Sequence, residues 1–203
     1  MCGDDAVSEV IGFSLILVMI ILALGVWSVH AAPQIAEDLE RAQNEDVLRK
    51  FAAFKYDLDS FLAAGNTGAY GRKIFTSASG KSPSSIFTFF RPSPGRFSME
   101  RGNPVFQVDN TAYYPVVFTY QSANRCAENI VLELRAGVLT ADPSGLTLLG
   151  SGNRNSAVHV VVSDSSFVPW VVSGAGEVIV SYRLERVLQS DSGLLYVFDF
   201  SMR

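Results

Sequence analysis

The chain has little of what most chemistry requires. Among 203 residues there are two cysteines and two histidines. Cys2 and Cys126 sit far apart, and removal of a short leader would leave Cys126 alone, so a disulfide framework and a cysteine-based zinc site are both excluded. His30 follows a long apolar run and His159 opens an apolar strand; two isolated imidazoles supply neither a metal set nor a nucleophile-and-base pair. Gly174-Ala175-Gly176 leads into a strand pattern and lacks the Lys-Ser/Thr that closes a phosphate loop. The aspartates, among them Asp57, Asp59, Asp109, Asp142, Asp164, Asp191 and Asp199, are scattered rather than spaced as a calcium loop. No Asn-x-Ser/Thr glycosylation acceptor occurs. Sixteen basic against twenty acidic residues, a net charge of −4, leave no basic cluster for nucleic acid. No catalytic residue, metal ligand or cofactor is expected, and the chain reads as a non-enzyme.

Charge is absent where it matters most. Val10 to Val29, VIGFSLILVMIILALGVWSV, carries none. At ~1.5 Å per helical residue it crosses ~30 Å of hydrocarbon, and a core helix rarely stays apolar on every face for so long. Residues 4–32 are therefore expected to form a membrane-length helix. Asp4, Asp5 and Glu9 precede the uncharged run. In one reading these acids sit in headgroup water and favour the positive end of the helix dipole. In the other, Glu9 meets a cation on a neighbouring subunit, such as a free N-terminal amine, when helices pack together. A secretory leader has a basic front and a shorter apolar core. The front here is acidic, although Val29-His30-Ala31-Ala32 offers small residues for cleavage near Ala32. Both flanks are acidic and Arg41 is the first basic residue, so the positive-inside rule assigns no orientation. Gly12, Ser14, Ala23, Gly25 and Ser28 would allow close helix approach, and Trp27 suits an interface.

Pro33 is expected to kink or interrupt the helix, because its ring removes a backbone hydrogen bond. Beyond it, Ile35, Leu39, Leu48, Phe51, Phe54, Leu58, Phe61 and Leu62 recur at spacings of three and four and mark one stripe of an amphipathic helix over 33–64. The other side is charged and includes Glu37, Glu40, Arg41, Lys50, Lys55 and Asp57. Val47 to Leu62 is expected to pack on a soluble domain, and the earlier half to form a neck. Gly65-Asn66-Thr67-Gly68 has the glycines of a helix C-cap and loop.

From there to residue 203 the periodicity is two. Short strands are expected at Lys73–Ala78, Ser85–Arg91, Arg96–Arg101, Val105–Asp109, Ala112–Gln121, Asn129–Ala136, Val138–Thr140, Leu146–Leu149, Ala157–Ser163, Glu177–Val187 and Leu194–Met202. Turn chemistry such as Pro92-Ser93-Pro94-Gly95 and Asp142-Pro143-Ser144-Gly145 separates them. The expected fold class is α+β: a long hydrophobic-then-amphipathic helix followed by an antiparallel β-sandwich or barrel-like domain over 65–203.

Asp5-Ala-Val-Ser-Glu-Val-Ile-Gly12, followed at once by the apolar helix, resembles the N-terminus of archaeal type IV pilin-like proteins. Tyr114–Tyr120, Ile130–Gly137, Leu146–Leu149, Val160–Val162 and Val178–Tyr182 resemble the β-domain of a poorly characterised branch of that family. The resemblance implies that Met1-Cys2-Gly3 is a leader cut between Gly3 and Asp4 by a prepilin peptidase-like enzyme. It further implies a membrane-inserted precursor handed to pilus assembly machinery. Copies would then pack into a cell-surface filament through Glu9, Val10, Ile11, Gly12, Phe13, Ile16, Leu17, Ile20, Leu24 and Trp27, with the β-domain displayed for adhesion. The alternative is a solitary membrane-anchored extracytoplasmic binding domain, or a minor pilin-like component.

Overall fold

The structure, a computed structural model, describes residues 4–76, 93–103, 106–135, 137–142, 146–149, 160–163, 167–174, 176–190 and 193–203. The leader Met1-Cys2-Gly3, the expected strand Ser85–Arg91, the turn Pro143-Ser144-Gly145 and His159 lie outside them.

A single helix, α1, runs from Asp4 to Ala64. Pro33 lies inside it and does not interrupt it. The proline deletes one hydrogen bond, and the long helical segments on either side carry the backbone through the gap. Gly65 closes the helix at φ +60°, its amide donating to the Phe61 carbonyl at 3.0 Å.

Eleven strands follow among the described residues: β1 (Tyr70–Thr76), β2 (Arg96–Arg101), β3 (Phe106–Val108), β4 (Thr111–Gln121), β5 (Val131–Arg135), β6 (Val138–Asp142), β7 (Leu146–Leu149), β8 (Val160–Ser163), β9 (Trp170–Ser173), β10 (Glu177–Ser190) and β11 (Gly193–Met202). Most coincide with the alternating segments of the sequence. Four-residue β9, directly after Pro169, is too short to show a period, and pairing with β2 makes it a strand. β3 and β4 join through Asp109 and Asn110, both at positive φ, a hairpin turn that these short polar side chains tolerate.

Strand β4 organises the sheets. Its first half pairs with β3 and β8, and its second half lies between β2 and β5. One sheet therefore runs β1-β10-β11-β8 to the start of β4, and the other runs β9-β2-β4-β5-β6-β7. The pairing is antiparallel except at β11–β8, which are parallel. A parallel pair needs a long crossover, and β9 and β10 supply it. β10 shifts register between Leu184 and Arg186, a bulge opposite β11.

The C-terminal half of α1 fills the space between the sheets. Val47, Phe51, Phe54 and Leu58 share one buried cluster with Phe75, Val180, Tyr182, Leu184 and Phe198 of one sheet and Phe97, Met99, Phe118, Leu132 and Leu139 of the other. Phe51 stacks on Phe118 with ring centroids 4.7 Å apart, and Phe75 meets Phe118 edge-on at 4.9 Å. At ~1.5–3 kcal/mol per fully buried large apolar side chain, the four helix residues contribute on the order of 8 kcal/mol. That is comparable to the whole net stability of a domain, roughly 5–15 kcal/mol, so this part of the helix belongs to the β-domain's core.

Candidate functional site: the exposed helix and the neck lock

From Glu9 to His30 every residue of α1 except Gly12 is exposed. Its most apolar window has a mean hydropathy of 2.8 and is wholly unburied. Fifteen large apolar side chains between Val10 and Val29 are exposed, from 43% at Trp27 to 70% at Met19. At about 1 kcal/mol for each half-exposed side chain, leaving them in water costs on the order of 15 kcal/mol, as much as a domain's entire stability. By length and composition the helix is a candidate membrane anchor.

Of the residues the resemblance assigns to assembly, Val10, Ile11, Phe13, Ile16, Leu17, Ile20, Leu24 and Trp27 are all exposed on this helix, with Gly12 half-buried among them. Glu9 is exposed, and no cation of the chain pairs with it among the described residues. Asp4 begins the helix; Gly3, across the expected cleavage point, is outside the described residues. The hydroxyls along the rod are satisfied internally, Ser14 Oγ donating to the Val10 carbonyl at 2.8 Å and Ser28 Oγ to the Leu24 carbonyl at 2.7 Å. Ser14 and Ser28 thus present no unpaired donor.

The first half of the neck carries a polar clamp on the side expected to be charged. Glu40 is 3% exposed. Its Oε2 accepts the backbone amides of Arg125 (3.1 Å), Cys126 (2.8 Å) and Ala127 (2.9 Å), while Oε1 accepts Arg125 N at 3.0 Å and Ser93 Oγ at 3.1 Å. Three consecutive amides converging on one carboxylate form an anion-holding nest. Burial pushes the Glu40 carboxyl upward in pKa, but the amides of Ala127, Arg125 and Cys126 and the Ser93 hydroxyl outweigh it, so the group lies below its ordinary value of 4.5. Its own side chains fix the loop that offers these amides: Asn129 Oδ1 accepts Asn124 N at 2.6 Å, Ser122 Oγ accepts Ile130 N at 2.7 Å, and Asn124 Nδ2 donates to the Glu128 carbonyl at 2.7 Å. One turn on, Gln43 Nε2 donates to the Thr76 carbonyl at 2.9 Å and Asn44 Nδ2 reaches the Glu128 carbonyl at 3.4 Å.

A second polar point lies near the helix end. Asp57 Oδ2 receives Lys73 Nζ at 2.8 Å and the Tyr182 hydroxyl at 3.2 Å. Burial, followed by the charge of Asp57 and its hydrogen bond, raises the Tyr182 hydroxyl well above the ordinary tyrosine value. Lys55 is buried as well and pairs with Asp59. Glu40 and Lys55, expected on the charged side opposite the apolar stripe, are thus buried. Docking also begins two turns before Val47. The sequence did contain a signal: Glu40, Gln43/Asn44, Val47, Phe51, Phe54/Lys55 and Leu58 continue one three-and-four spacing, but its first members are polar. From Glu40 to Asp57 is ~25 Å of helix, clamped at both ends with the aromatic core between. Over this stretch the helix is part of the β-domain's own packing.

Cys126 is exposed and unpaired with any sulfur. Among the described residues no group of three His, Cys, Asp or Glu side chains converges as a metal site. The chain is thus an α+β protein whose β-domain is skewered on the C-terminal half of a helix and whose other half is a bare apolar rod. Comparison with protein-family models, curated proteins and solved structures finds no match.

Proposed function

We propose that the chain is a structural subunit of an archaeal type IV pilus-like surface filament, held in the membrane by its N-terminal helix and then polymerising through it. The observation that carries this reading is the pair Gly12 and Gly25. Beyond the helix's own adjacent backbone, nothing among the described residues lies within 4 Å of where a Cβ would stand at either position. Each glycine costs a helix about 1 kcal/mol relative to alanine, and packing within the chain gives nothing in return. Close approach of a second helix does.

The small residues also fall on two sides. At ~100° per residue, Gly12 and Ala23 share one face, and Ser14, Gly25 and Ser28 share the opposite one. Grooves on opposite sides suit a helix with several neighbours, as in a filament core, better than a single dimer contact. The clamped neck would hold every β-domain at one angle to that core, with the domain outward for adhesion or surface contact. Glu9, exposed at the rod's mouth, is free to meet a cation of an adjacent subunit.

The test is to express the chain in an archaeal host with a pilus machinery and to examine the cell surface by electron microscopy, with N-terminal sequencing of the recovered material. Filaments whose subunits begin at Asp4 support the proposal. A membrane-bound monomer beginning at Met1 would instead establish a solitary anchored domain, and a start near Ala32 an ordinary secreted one. Glu9→Gln should reduce filament number; equal filament formation would remove the carboxylate from assembly.

A further inference from the structure

On the solvent face of β1, β10 and β11, three strands lie in register. Tyr70, Arg183 and Asp199 form one cross-strand row, and Arg72, Ser181 and Ser201 form the next. Alternation puts both rows on the same face, away from the core that Tyr182 and Phe200 enter from the positions between. Ile74 and Ile179 make a third row, more apolar. Two serines side by side between longer side chains leave a depression. It is an open trough of about 230 Å³, bounded by Tyr70, Ser181, Arg183, Asp199 and Ser201, with Tyr182 contributing to its floor.

The trough's chemistry is specific. Tyr70 is 63% exposed, yet its hydroxyl is pinned to Ser181 Oγ at 3.1 Å, so an aromatic wall is held in place before any ligand arrives. A pinned wall reduces the ordering cost of binding. Arg183 lies 3.5 Å from Asp199 and 4.0 Å from Glu185, which balances its charge. The pair still offers a planar set of donors beside a carboxylate acceptor. Ser181 and Ser201 add hydroxyls that both donate and accept. The floor is polar, which disfavours a lipid chain. A charge-balanced lining disfavours a bare phosphate. A ligand with one flat apolar face and a rim of neighbouring hydroxyls satisfies both wall and floor, and the volume admits one ring rather than a drug-sized molecule, whose pockets start at roughly 300 Å³.

We infer that this trough is a saccharide-binding site that seats one pyranose ring, its C–H face against Tyr70 and its hydroxyls on Arg183, Asp199 and the two serines. The site is complete within one chain, so it does not depend on polymerisation.

Saturation-transfer difference NMR tests it, on the full chain in a zwitterionic, sugar-free detergent. The probes are methyl α-mannopyranoside, methyl β-galactopyranoside and methyl β-glucuronide, each raised to about 50 mM, because a ligand of this size is expected to bind with a dissociation constant on the order of 1–10 mM. Saturation should reach at least one probe. Filling the floor with Ser201→Leu should weaken that binding at least about tenfold, and removing the wall with Tyr70→Ala about fivefold. Gln107→Ala, on β3 outside the trough, should leave it unchanged, and far-UV circular dichroism should report the same fold in all variants. No transfer to any probe, or transfer that survives both Ser201→Leu and Tyr70→Ala, overturns the assignment. Neither result bears on whether filaments form.

Discussion

Replacing Glu40 by glutamine keeps the shape of the side chain and removes the charge that three amides and a hydroxyl converge upon. The remaining amide oxygen can accept two of these donors. The new NH2 group faces the others, which lose their partner. A hydrogen bond to a charged group nets ~1.5–3 kcal/mol, and a buried donor left unmade costs a similar amount. Arg125 and Cys126 are exposed residues, so water can reach part of the opened loop and soften the loss. The expected cost is about 2–3 kcal/mol. The pH dependence gives an independent check. The folded Glu40 carboxyl lies below its ordinary value of 4.5, so the unfolded chain takes up the proton first as the solution is acidified. The stabilisation from Glu40 is therefore complete above that value and is lost as the pH falls through the lower, folded one. Glutamine has no such dependence. Urea denaturation of the full chain in zwitterionic micelles at pH 7 and near pH 3 should show the variant weaker at neutral pH and closer to wild type in acid. Amide exchange at Cys126 and Ala127 should be slow in the wild type and faster in the variant. The clamp as described is refuted if both proteins unfold within about 0.5 kcal/mol of each other at pH 7, or if acid weakens them equally.

Other substitutions probe the rest of the spine. Phe51→Ala, at the centre of the stacked rings and fully buried, should cost about 3–5 kcal/mol in chemical denaturation; a loss under 1 kcal/mol would mean that the helix is not part of the core. Gly71→Ala would set a Cβ 2.4 Å from the Tyr182 ring, which is buried and bonded to Asp57, so a loss of about 1–3 kcal/mol in the same assay is expected. Tyr182→Phe keeps the packing and removes the bond to Asp57, with an expected loss of about 1 kcal/mol and no change in secondary structure by circular dichroism. Gly25→Leu, in the bare rod, should leave the β-domain's denaturation midpoint unchanged while reducing self-association of the full chain in micelles, read by analytical ultracentrifugation. Unchanged association would remove Gly25 from any helix contact.

The elements were legible in the residues alone because their signals are local. Val10–Val29 declares a membrane-length apolar helix by lacking charge, the Phe51–Leu58 spacing declares a helix face, and β2, β4 and β7 fall where the sequence places them almost to the residue. Composition likewise left little material for metal or nucleophile chemistry, since histidines and cysteines are so few. What chain order cannot carry is a partner distant along it. Glu40 reads as solvated until a loop more than eighty residues away turns three amides toward it, and Lys55 until the sheets close around it. Strand β9 exists because β2 is beside it, and the Tyr70 trough because three strands bring two serines side by side. Desolvation and convergent hydrogen bonds are properties of a place, and only the folded chain makes the place.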